Sequence, residues 1–211
     1  ETVSDFDLVI ARGFITPQSD SGRFDYQAGF DVRYERGTGP RILETVQTQG
    51  DFAAFASGTY RFSDRVRTRL GMRYGYNTGY RAPITPALDV WVRLNSDLVF
   101  RASASRGFRA PALKELYFFF VDINHNIRGN ENLQAEHSQN FQVNLDYRKL
   151  LGNRHFLKGS VDGFYNDMEN LITLVMVDPA TSLFIYDNIA EFRSLGGGGQ
   201  LEWKHRSVSV T

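Results

Sequence analysis

An unbroken alternation of apolar and polar side chains is the feature of this sequence that most restricts its fold. From residue 24 to residue 35 every even position is apolar, beginning with Phe24 and ending with Tyr34, and every odd position is polar or glycine. Because successive side chains of a strand point to opposite faces of its sheet, this period of two predicts a strand with one apolar face. The same period recurs at 66–76 and 141–148 and, less regularly, at 52–62, 88–94 and 98–105.

Helical spacing is nearly absent. Only residues 112–117, after Pro111, resemble a helical turn, and a long strand is expected over about 184–204 although it contains Gly196 to Gly199. The pattern therefore predicts an all-β protein.

Composition excludes several classes of protein. The 211 residues contain no run of about 18 apolar residues, which excludes a membrane-spanning helix. Lys+Arg and Asp+Glu each number 24, so nucleic-acid binding through bulk charge is not expected. With no cysteine there is no disulfide, no thiolate zinc site and no cysteine nucleophile.

The connections between the predicted strands alternate in length from residue 50 onward. Short turns are predicted at 63–65, 95–97 and 150–154, whereas 77–86, 107–137 and about 167–183 are long and carry Pro, Gly and Asn. Short turns and long loops thus fall at opposite ends of the strands. This is the layout of an antiparallel up-and-down transmembrane β-barrel, with short periplasmic turns and long extracellular loops.

The apolar face of residues 24–34 is arranged as a lipid-facing surface would be. Phe24 and Tyr34 bracket the smaller Ala28 and Val32, as aromatic girdles bracket the apolar band of membrane barrels. Ten residues at about 3.3 Å each, tilted by about 45°, rise roughly 23 Å, which is close to the height of that band. A soluble β-sandwich alternates in the same way and remains an alternative at this stage.

Two motifs between residues 101 and 147 resemble the TonB-dependent receptors of Gram-negative outer membranes. In that family a strand rises into a Gly-Phe-Arg-Ala-Pro box followed by a Glu-Leu-Tyr segment, and a Gly-Asn-x-x-Leu-x-x-Glu box precedes the descending strand. Weaker similarity covers most of residues 50–204, including Asn170-Leu171-Ile172 and Tyr186-Asp187-Asn188. The box residues are Gly107, Phe108, Arg109, Ala110, Pro111, Glu115, Leu116, Tyr117, Gly129, Asn130, Asn132, Leu133 and Glu136.

The resemblance implies a fold and a place within it. The family's barrel has 22 strands and an N-terminal plug domain, and its strands alone need about 200 residues. A chain with about nine predicted strands is therefore expected to be the middle-to-late part of a larger barrel. Residues 1–211 are assigned to the barrel domain, without the plug, and both ends have the pattern of chain that continues.

The resemblance also implies a function. The chain is expected in the outer membrane of a Gram-negative bacterium, in a receptor that takes up a scarce nutrient such as a ferric siderophore, haem or cobalamin. Its expected partners are outer-membrane lipid, TonB, the plug domain and a small metal chelate or cofactor as cargo. Two alternatives remain: a small complete outer-membrane barrel that acts as a passive pore or adhesin, and a soluble β-sandwich binding module.

Most of the box residues are expected to be structural. Phe108 and Pro111 are expected to fix the exit of a strand into its loop, because proline presets φ and restricts the residue before it. Gly129 with Asn130 suits a left-handed or tight turn, and Glu136 is expected to pair with an arginine of the inner face.

Three loop residues are the candidate ligand contacts: Arg109, Tyr117 and His125. They lie in 107–137, which together with about 167–183 is expected to bind the cargo. His125 falls between the two boxes, where haem-uptake members of the family place an iron-ligating histidine, and imidazole is a common haem ligand. A solvated loop histidine, or one that contacts the plug, is the alternative.

The sequence contains no recognisable catalytic constellation. It has no Gly-x-Ser-x-Gly elbow, no phosphate-binding glycine loop before a helix and no His-Glu-x-x-His pair. His137, His155 and His205 show no paired spacing for a metal. Neither enzymatic activity nor a resident cofactor or metal is expected. The apolar run Phe118 to Val121 is expected to pack within the loop, and an aromatic patch that contacts the ligand is the alternative.

Overall fold

The structure, a computed structural model, describes residues 4–17, 22–122, 126–152, 155–205 and, by their backbone, 208–210. Nine long strands make up most of it, as the sequence predicts, and no helix among these residues is long and apolar enough to cross a membrane. The elements are β1 (Asp5–Ile15), β2 (Phe24–Thr38), β3 (Val46–Ser63), β4 (Val66–Asn77), β5 (Thr85–Arg93), β6 (Leu98–Arg109), α1 (Leu113–Tyr117), β7 (Phe119–Val121), β8 (Asn126–Arg128), β9 (Glu136–Leu151), β10 (His155–Asp178), β11 (Leu183–His205) and β12 (Val208–Val210).

The long strands form one antiparallel meander in the order β1-β2-β3-β4-β5-β6-β9-β10-β11. The connections 64–65 and 94–97 lie at one end, and 39–45, 78–84, 110–135 and 179–182 lie at the other. The predicted up-and-down layout is confirmed. Among the described strands β1 pairs only with β2, so the sheet is open. An open sheet is expected of part of a larger barrel. The described strands do not close into the small barrel considered as an alternative.

The two faces of the sheet divide as the alternation predicts. Leu70, Met72 and Tyr74 point outward from β4 and are each more than half exposed. The inner face instead carries ion pairs between strands, such as Asp146 with Arg101. An outer face this apolar is typical of a surface that meets lipid. A β-sandwich would bury it against a second sheet, and the described strands form no second sheet.

Outward-facing residues mark where the apolar band ends. Across β9, β10 and β11, Leu157 lies opposite Trp203 near the short turns, and Phe141 lies opposite Tyr165 towards the long loops. The strand rises roughly 19 Å between these two rows at a tilt of about 45°. The next outward row is polar and consists of Arg106, Gln139, Asp167 and Arg193. Everything beyond that row lies above the band, on the side of the long loops.

The apolar core lies in the long loops, not in the sheet. Leu116, Leu133 and Ile172 are 5%, 3% and 9% exposed and form one cluster, against which Tyr80 and Tyr186 pack. We call this packed unit the loop cap and define it as residues 39–45, 78–84, 110–122 and 126–135 with the ends of β10 and β11 at 170–188. The loops therefore form a folded body at one end of the sheet.

The prediction of a long loop at about 167–183 is wrong. β10 continues to Asp178 and β11 begins at Leu183, so only residues 179–182 connect them. The alternation breaks at Asn170, which has a positive φ of 58°. Pairing with β11 resumes immediately beyond that residue, at Leu171. The sequence also gave no indication of β1, because Leu8, Val9 and Ile10 are consecutive apolar residues without alternation.

Candidate functional site

The first box, residues 107–111, directs the chain from the end of β6 into the loop cap. Pro111 is fully buried, and its carbonyl accepts a hydrogen bond from Nε2 of Gln49 in β3 at 3.0 Å. Since proline disfavours helical conformation in the residue before it, no helix includes Ala110, and α1 begins at Leu113 after the extended N-cap Ala112. Phe108 packs on the ring of His137 across the β6–β9 pair, at 5.5 Å between centroids. These contacts direct the chain from the sheet into the cap.

Arg109 joins the two boxes. Its Nε and Nη2 donate to the two carboxylate oxygens of Glu136 at 2.6 Å each, and its Nη1 donates to Glu115 at 2.8 and 3.1 Å. Glu115 also accepts from the backbone N–H of Ala112 at 2.7 Å, and Glu136 accepts from that of Ile172 at 2.8 Å. One guanidinium therefore connects β6, α1, β9 and β10.

The charge of Glu136 is stabilised where it lies. This carboxylate is 6% exposed and stands above the apolar band. Burial alone would raise the pKa of Glu136, but the hydrogen bonds from Arg109 and from the N–H of Ile172 outweigh burial and hold that pKa below its usual range. The carboxylate of Glu136 is thus ionised at neutral pH, where it pairs with Arg109.

Gly129 allows two backbone segments to touch. A Cβ at this position would lie 2.5 Å from the carbonyl oxygen of Leu116 and 2.8 Å from the backbone nitrogen of Tyr117. Neither atom can move without moving α1. Among the described glycines only Gly39 and Gly152 have a positive φ, so the left-handed conformation considered for Gly129 is not adopted. Close approach, not backbone torsion, explains this glycine.

Asn130 and Leu133 fasten the second box. The Nδ2 of Asn130 donates to the carbonyl of Tyr186 in β11 at 3.0 Å, and its Oδ1 accepts from the N–H of Asn132 at 2.9 Å. Leu133 is buried in the cap cluster, and its carbonyl accepts from the hydroxyl of Tyr80 at 3.0 Å. The box is therefore tied to β11 and to the loop between β4 and β5.

The weaker motifs meet the boxes in space. Asn188 of β11 exchanges two hydrogen bonds with the backbone of Gln134 and donates to the carbonyl of Asn170 at 2.7 Å. Asparagine tolerates the left-handed conformation of Asn170 better than most residues do. Segments far apart in the sequence thus converge on one structural unit.

The loop between β2 and β3 completes the cap. Ile42 is 3% exposed and forms an isolated antiparallel bridge with Phe118, and the N–H of Leu43 donates to the carbonyl of Tyr117 at 3.0 Å. On the opposite side β8 pairs in parallel with the start of β11. The predicted packing of the apolar run is seen at Phe118, whose ring packs edge-on against Phe6 at 5.9 Å, but not at Phe119 and Val121, which are exposed. With the bond from Tyr80 to Leu133, the loops of four hairpins are joined to one another.

A cavity of about 470 Å³ lies beneath the cap on the inner face. Its wall combines small apolar residues of the loops with paired charges: Arg73 contacts Asp51 at 3.5 Å and Arg33 contacts Glu35 at 3.5 Å. Such a wall suits a polar solute held by hydrogen bonds. No group of three or more histidine or carboxylate side chains within the described part of the chain is placed to hold a metal ion.

The three candidate ligand contacts are placed differently. Arg109 lines the cavity, with its donors directed to Glu115 and Glu136. Tyr117 packs against the cap cluster instead, where burial raises the pKa of its phenol. The structure does not bring these two side chains to one space, and His125 lies outside the described residues. As ligand contacts all three stay predictions.

Two clusters were missed at the level of sequence. Trp91 lies on the inner face between the guanidinium groups of Arg67, at 4.5 Å, and Arg93, at 5.3 Å. His155 and His205 face each other across β10 and β11 with 3.2 Å between their Nδ1 atoms. Both follow from strand register. Counting back from the 179–182 turn would have placed the histidines one residue out of register, because an irregularity between Met176 and Asp178 shifts the pairing.

A single sheet with an apolar outer face, a polar inner face and a packed loop cap at one end defines a membrane β-barrel of the receptor type. The family described as "TonB dependent receptor-like, beta-barrel" matches residues 4–205, and the chain belongs to this family. The resemblance drawn from the two boxes is confirmed. The family consists of transporters and receptors of Gram-negative outer membranes.

The curated relatives include a transporter and an iron-regulated outer-membrane protein. The vitamin B12 transporter BtuB of Photobacterium profundum is 30% identical over 125 residues, which are 57% of this chain and 18% of that protein. An iron-regulated outer membrane virulence protein of Vibrio cholerae is 30% identical over 127 residues, which are 59% of this chain and 19% of that protein. The chain thus spans less than a fifth of the length of these relatives.

Solved structures share the fold. The siderophore receptor PirA of Pseudomonas aeruginosa superposes with a TM-score of 0.79 at 18% identity, over 94% of this chain and 37% of that one. The hemophore receptor HasR of Serratia marcescens, solved with its hemophore HasA and heme, gives a TM-score of 0.77 at 19% identity, over 96% of this chain and 40% of that one. The partial coverage agrees with an open sheet that is part of a larger barrel.

Proposed function

We propose that this chain forms part of the wall and the extracellular loop cap of an outer-membrane receptor that imports a scarce nutrient by TonB-dependent transport. The observation that carries the proposal is the loop cap. Loops from four hairpins are bonded to one another over a cavity with paired charges on the inner face of the sheet. A receptor needs such loops held in place above its lumen.

The bonding within the cap supports a binding role. Arg109, Glu115 and Glu136 connect strand ends to α1 by charge-assisted hydrogen bonds, which are shorter and stronger than neutral ones. The segment between the boxes is thereby presented on a rigid base. Function is commonly placed on loops that a rigid scaffold positions.

We propose a ferric siderophore, haem or cobalamin as cargo. The relatives named above are a vitamin B12 transporter and an iron-regulated protein, and the structural neighbours include siderophore and hemophore receptors. Tyr117 of the loop cap and His125, in the sequence between the two boxes, are candidate contacts. Arg109 is the third candidate contact, at the wall of the cavity, where its guanidinium also binds Glu115 and Glu136. A plug domain and TonB act on the barrel from outside residues 1–211.

The test is uptake by a bacterial host that lacks its own receptors and carries the intact protein. Cells are offered a labelled ferric siderophore, labelled haem and labelled cobalamin in turn, with and without an uncoupler of the proton gradient. We expect one class to accumulate and the uncoupler to abolish that accumulation. A matched variant pair then replaces Glu115 by Gln in the cap or Asn95 by Gly in a short turn. Uptake should fall only for the cap variant.

The alternatives predict other results. Accumulation of several small solutes that survives the uncoupler would identify a passive pore, and binding without uptake would identify an adhesin. Recovery of the protein in the soluble fraction would support a soluble binding module. Loss of uptake in both variants would mean that the cap has no particular part in transport.

A further inference from the structure

Two histidines that transport through the lumen does not use meet at the end of the sheet opposite the loop cap. His155 begins β10 and His205 ends β11, and the two are direct partners in the register of these strands. Each stands two residues from the outward pair Leu157 and Trp203, so both side chains lie on the outer face. Fifty residues separate the histidines in the sequence, and no short motif therefore reveals the pair.

The two imidazole rings face each other through one nitrogen of each. The Nδ1 atoms of His155 and His205 are 3.2 Å apart, whereas the ring centroids are 4.3 Å apart, so the Nδ1 corners are turned towards each other. Two imidazole nitrogens bound to Zn²⁺ at about 2.0–2.1 Å with a tetrahedral angle lie about 3.3 Å apart. The observed separation therefore suits one metal ion that binds both Nδ1 atoms.

Trp203 holds the rings in this orientation. Its indole stacks on the ring of His155 at 5.7 Å between centroids and on the ring of His205 at 5.9 Å. Both histidines are half-buried, so the pair is packed and still reaches solvent. Lys149, the cation opposite Leu157 on the same face of β9, is bound to Asp97 at 3.5 Å. Ligands that packing already orients lose little freedom when they bind an ion.

We propose that His155 and His205 bind one divalent transition-metal ion through their Nδ1 atoms. Imidazole nitrogen suits Zn²⁺, Cu²⁺ and Ni²⁺, whereas Mg²⁺ and Ca²⁺ prefer oxygen ligands. Water completes the coordination, because the described part of the chain brings no group of three or more histidine or carboxylate side chains together for a metal. The bound ion joins the ends of β10 and β11.

The protons of the pair balance without a change in its charge. In the metal-free pair one Nδ1–H donates to the other Nδ1, which is the arrangement open to two neutral imidazoles. When the ion binds, that proton moves through water to Nε2 of the same ring, and both Nδ1 lone pairs are then directed at the ion. The site lies outside the lumen, so the proposal is independent of the cargo and of the proposed function.

The test is zinc binding to the intact protein, purified without a histidine tag and stripped with a chelator. Zn²⁺ is titrated at about pH 7.5, where an ordinary imidazole is neutral, in the presence of excess Mg²⁺. The unaltered protein should bind one Zn²⁺ more than His155→Gln or His205→Gln does. At this site each variant should bind about tenfold more weakly or worse, because a single imidazole cannot chelate.

His137→Gln is the matched control. His137 also lies on the outer face, but its ring packs on Phe108 at the other end of the sheet. This variant should bind as much zinc as the unaltered protein. Equal zinc binding by the unaltered protein and both pair variants would show that the two rings form only a hydrogen bond. A loss in His137→Gln as large as in the pair variants would also contradict the assignment.

Chemical modification tests the pair without any substitution. Diethyl pyrocarbonate acylates accessible neutral imidazoles, and mass spectrometry of peptides reports each histidine separately. Zn²⁺ should slow the modification of His155 and His205 and leave that of His137 unchanged, since a ring that binds the ion through Nδ1 carries its proton on Nε2 and has no free lone pair. Equal rates at His155 and His205 with and without Zn²⁺ would overturn the proposal.

Discussion

Asn188 and Gln134 are bonded in both directions. The Oδ1 of Asn188 accepts the N–H of Gln134 at 2.8 Å, and its Nδ2 donates to the carbonyl of Gln134 at 3.1 Å. The side-chain amide thus satisfies the backbone groups of Gln134 much as a neighbouring strand would. Because Asn188 also holds the carbonyl of Asn170, one side chain attaches the second box to the end of the β10–β11 hairpin.

Replacing Asn188 by Asp should loosen this attachment. The carboxylate keeps the acceptor for the N–H of Gln134 but loses both donations, which should lower local stability by about 1–2 kcal/mol. Hydrogen exchange of peptides covering 130–135 in the intact protein should accelerate. Asn95→Asp is the control, since the Oδ1 of Asn95 only accepts, from the N–H of Asp97 at 2.9 Å. Unchanged exchange in N188D would show that the pair does not hold the box.

A methyl group at Gly129 should separate the second box from α1. The nearest atoms belong to the backbone of Leu116 and Tyr117, so the box must shift, at a cost of about 1–3 kcal/mol. Limited proteolysis should then cleave Gly129→Ala within 110–135 faster than the unaltered protein. Gly79→Ala is the control in a neighbouring loop, where the nearest atom to a new Cβ is 3.8 Å away. Equal cleavage of the two variants would mean that the close contact is unimportant.

Acid should open the loop cap through Glu136. Its folded-state pKa lies below the value in the unfolded chain, so its pairing stabilises the cap fully above the unfolded pKa, near pH 4 to 5 by the usual value of about 4.3, and is lost as pH falls through the folded pKa. Proteolysis of 110–135 by an acid-active protease should be constant from neutral pH down to about pH 5 and rise below.

Glu136→Gln is the matching variant for the acid experiment. It leaves Arg109 without one charged partner and should expose the loop already at neutral pH, with little further change on acidification. A variant that keeps the acid response of the unaltered protein would assign that response to another group. Asp178 is the carboxylate to examine next, because the hydroxyl of Thr181 and the N–H of Ala180 lower its pKa in the same way.

Most of the sheet could be predicted from sequence because its strands, β1 excepted, carry their own signals. The alternation from Phe24 to Tyr34 shows which side chains share a face without any knowledge of the partner strand, and the observed β2 contains these residues. The pairing of Glu136 with an inner-face arginine followed from the same logic and is confirmed as the pair with Arg109. Such predictions need only local period and the alternation of faces.

The contacts within the cap could not be predicted in this way. Asn188 and Gln134, or Ile42 and Phe118, meet because several loops fold together, and no single segment encodes that arrangement. Gly129 shows the difference plainly: its identity was noticed, but its cause is the backbone of Leu116, which lies in another segment. The prediction of a long loop near 167–183 was wrong for a related reason, since pairing with β11 extends β10 past the irregular Asn170.

An arginine should be tolerated on one face of β10 and not on the other. Val161 points outward midway between the Leu157 and Tyr165 rows and is 63% exposed, whereas Ser160 lies on the inner face opposite Asp146. Val161→Arg should cost about 2–4 kcal/mol in lipid, and Ser160→Arg should cost much less. Urea unfolding of the intact protein in lipid vesicles measures both. Equal tolerance of the two would mean that the apolar face does not meet lipid, and greater damage from Ser160→Arg would reverse the assignment of the faces.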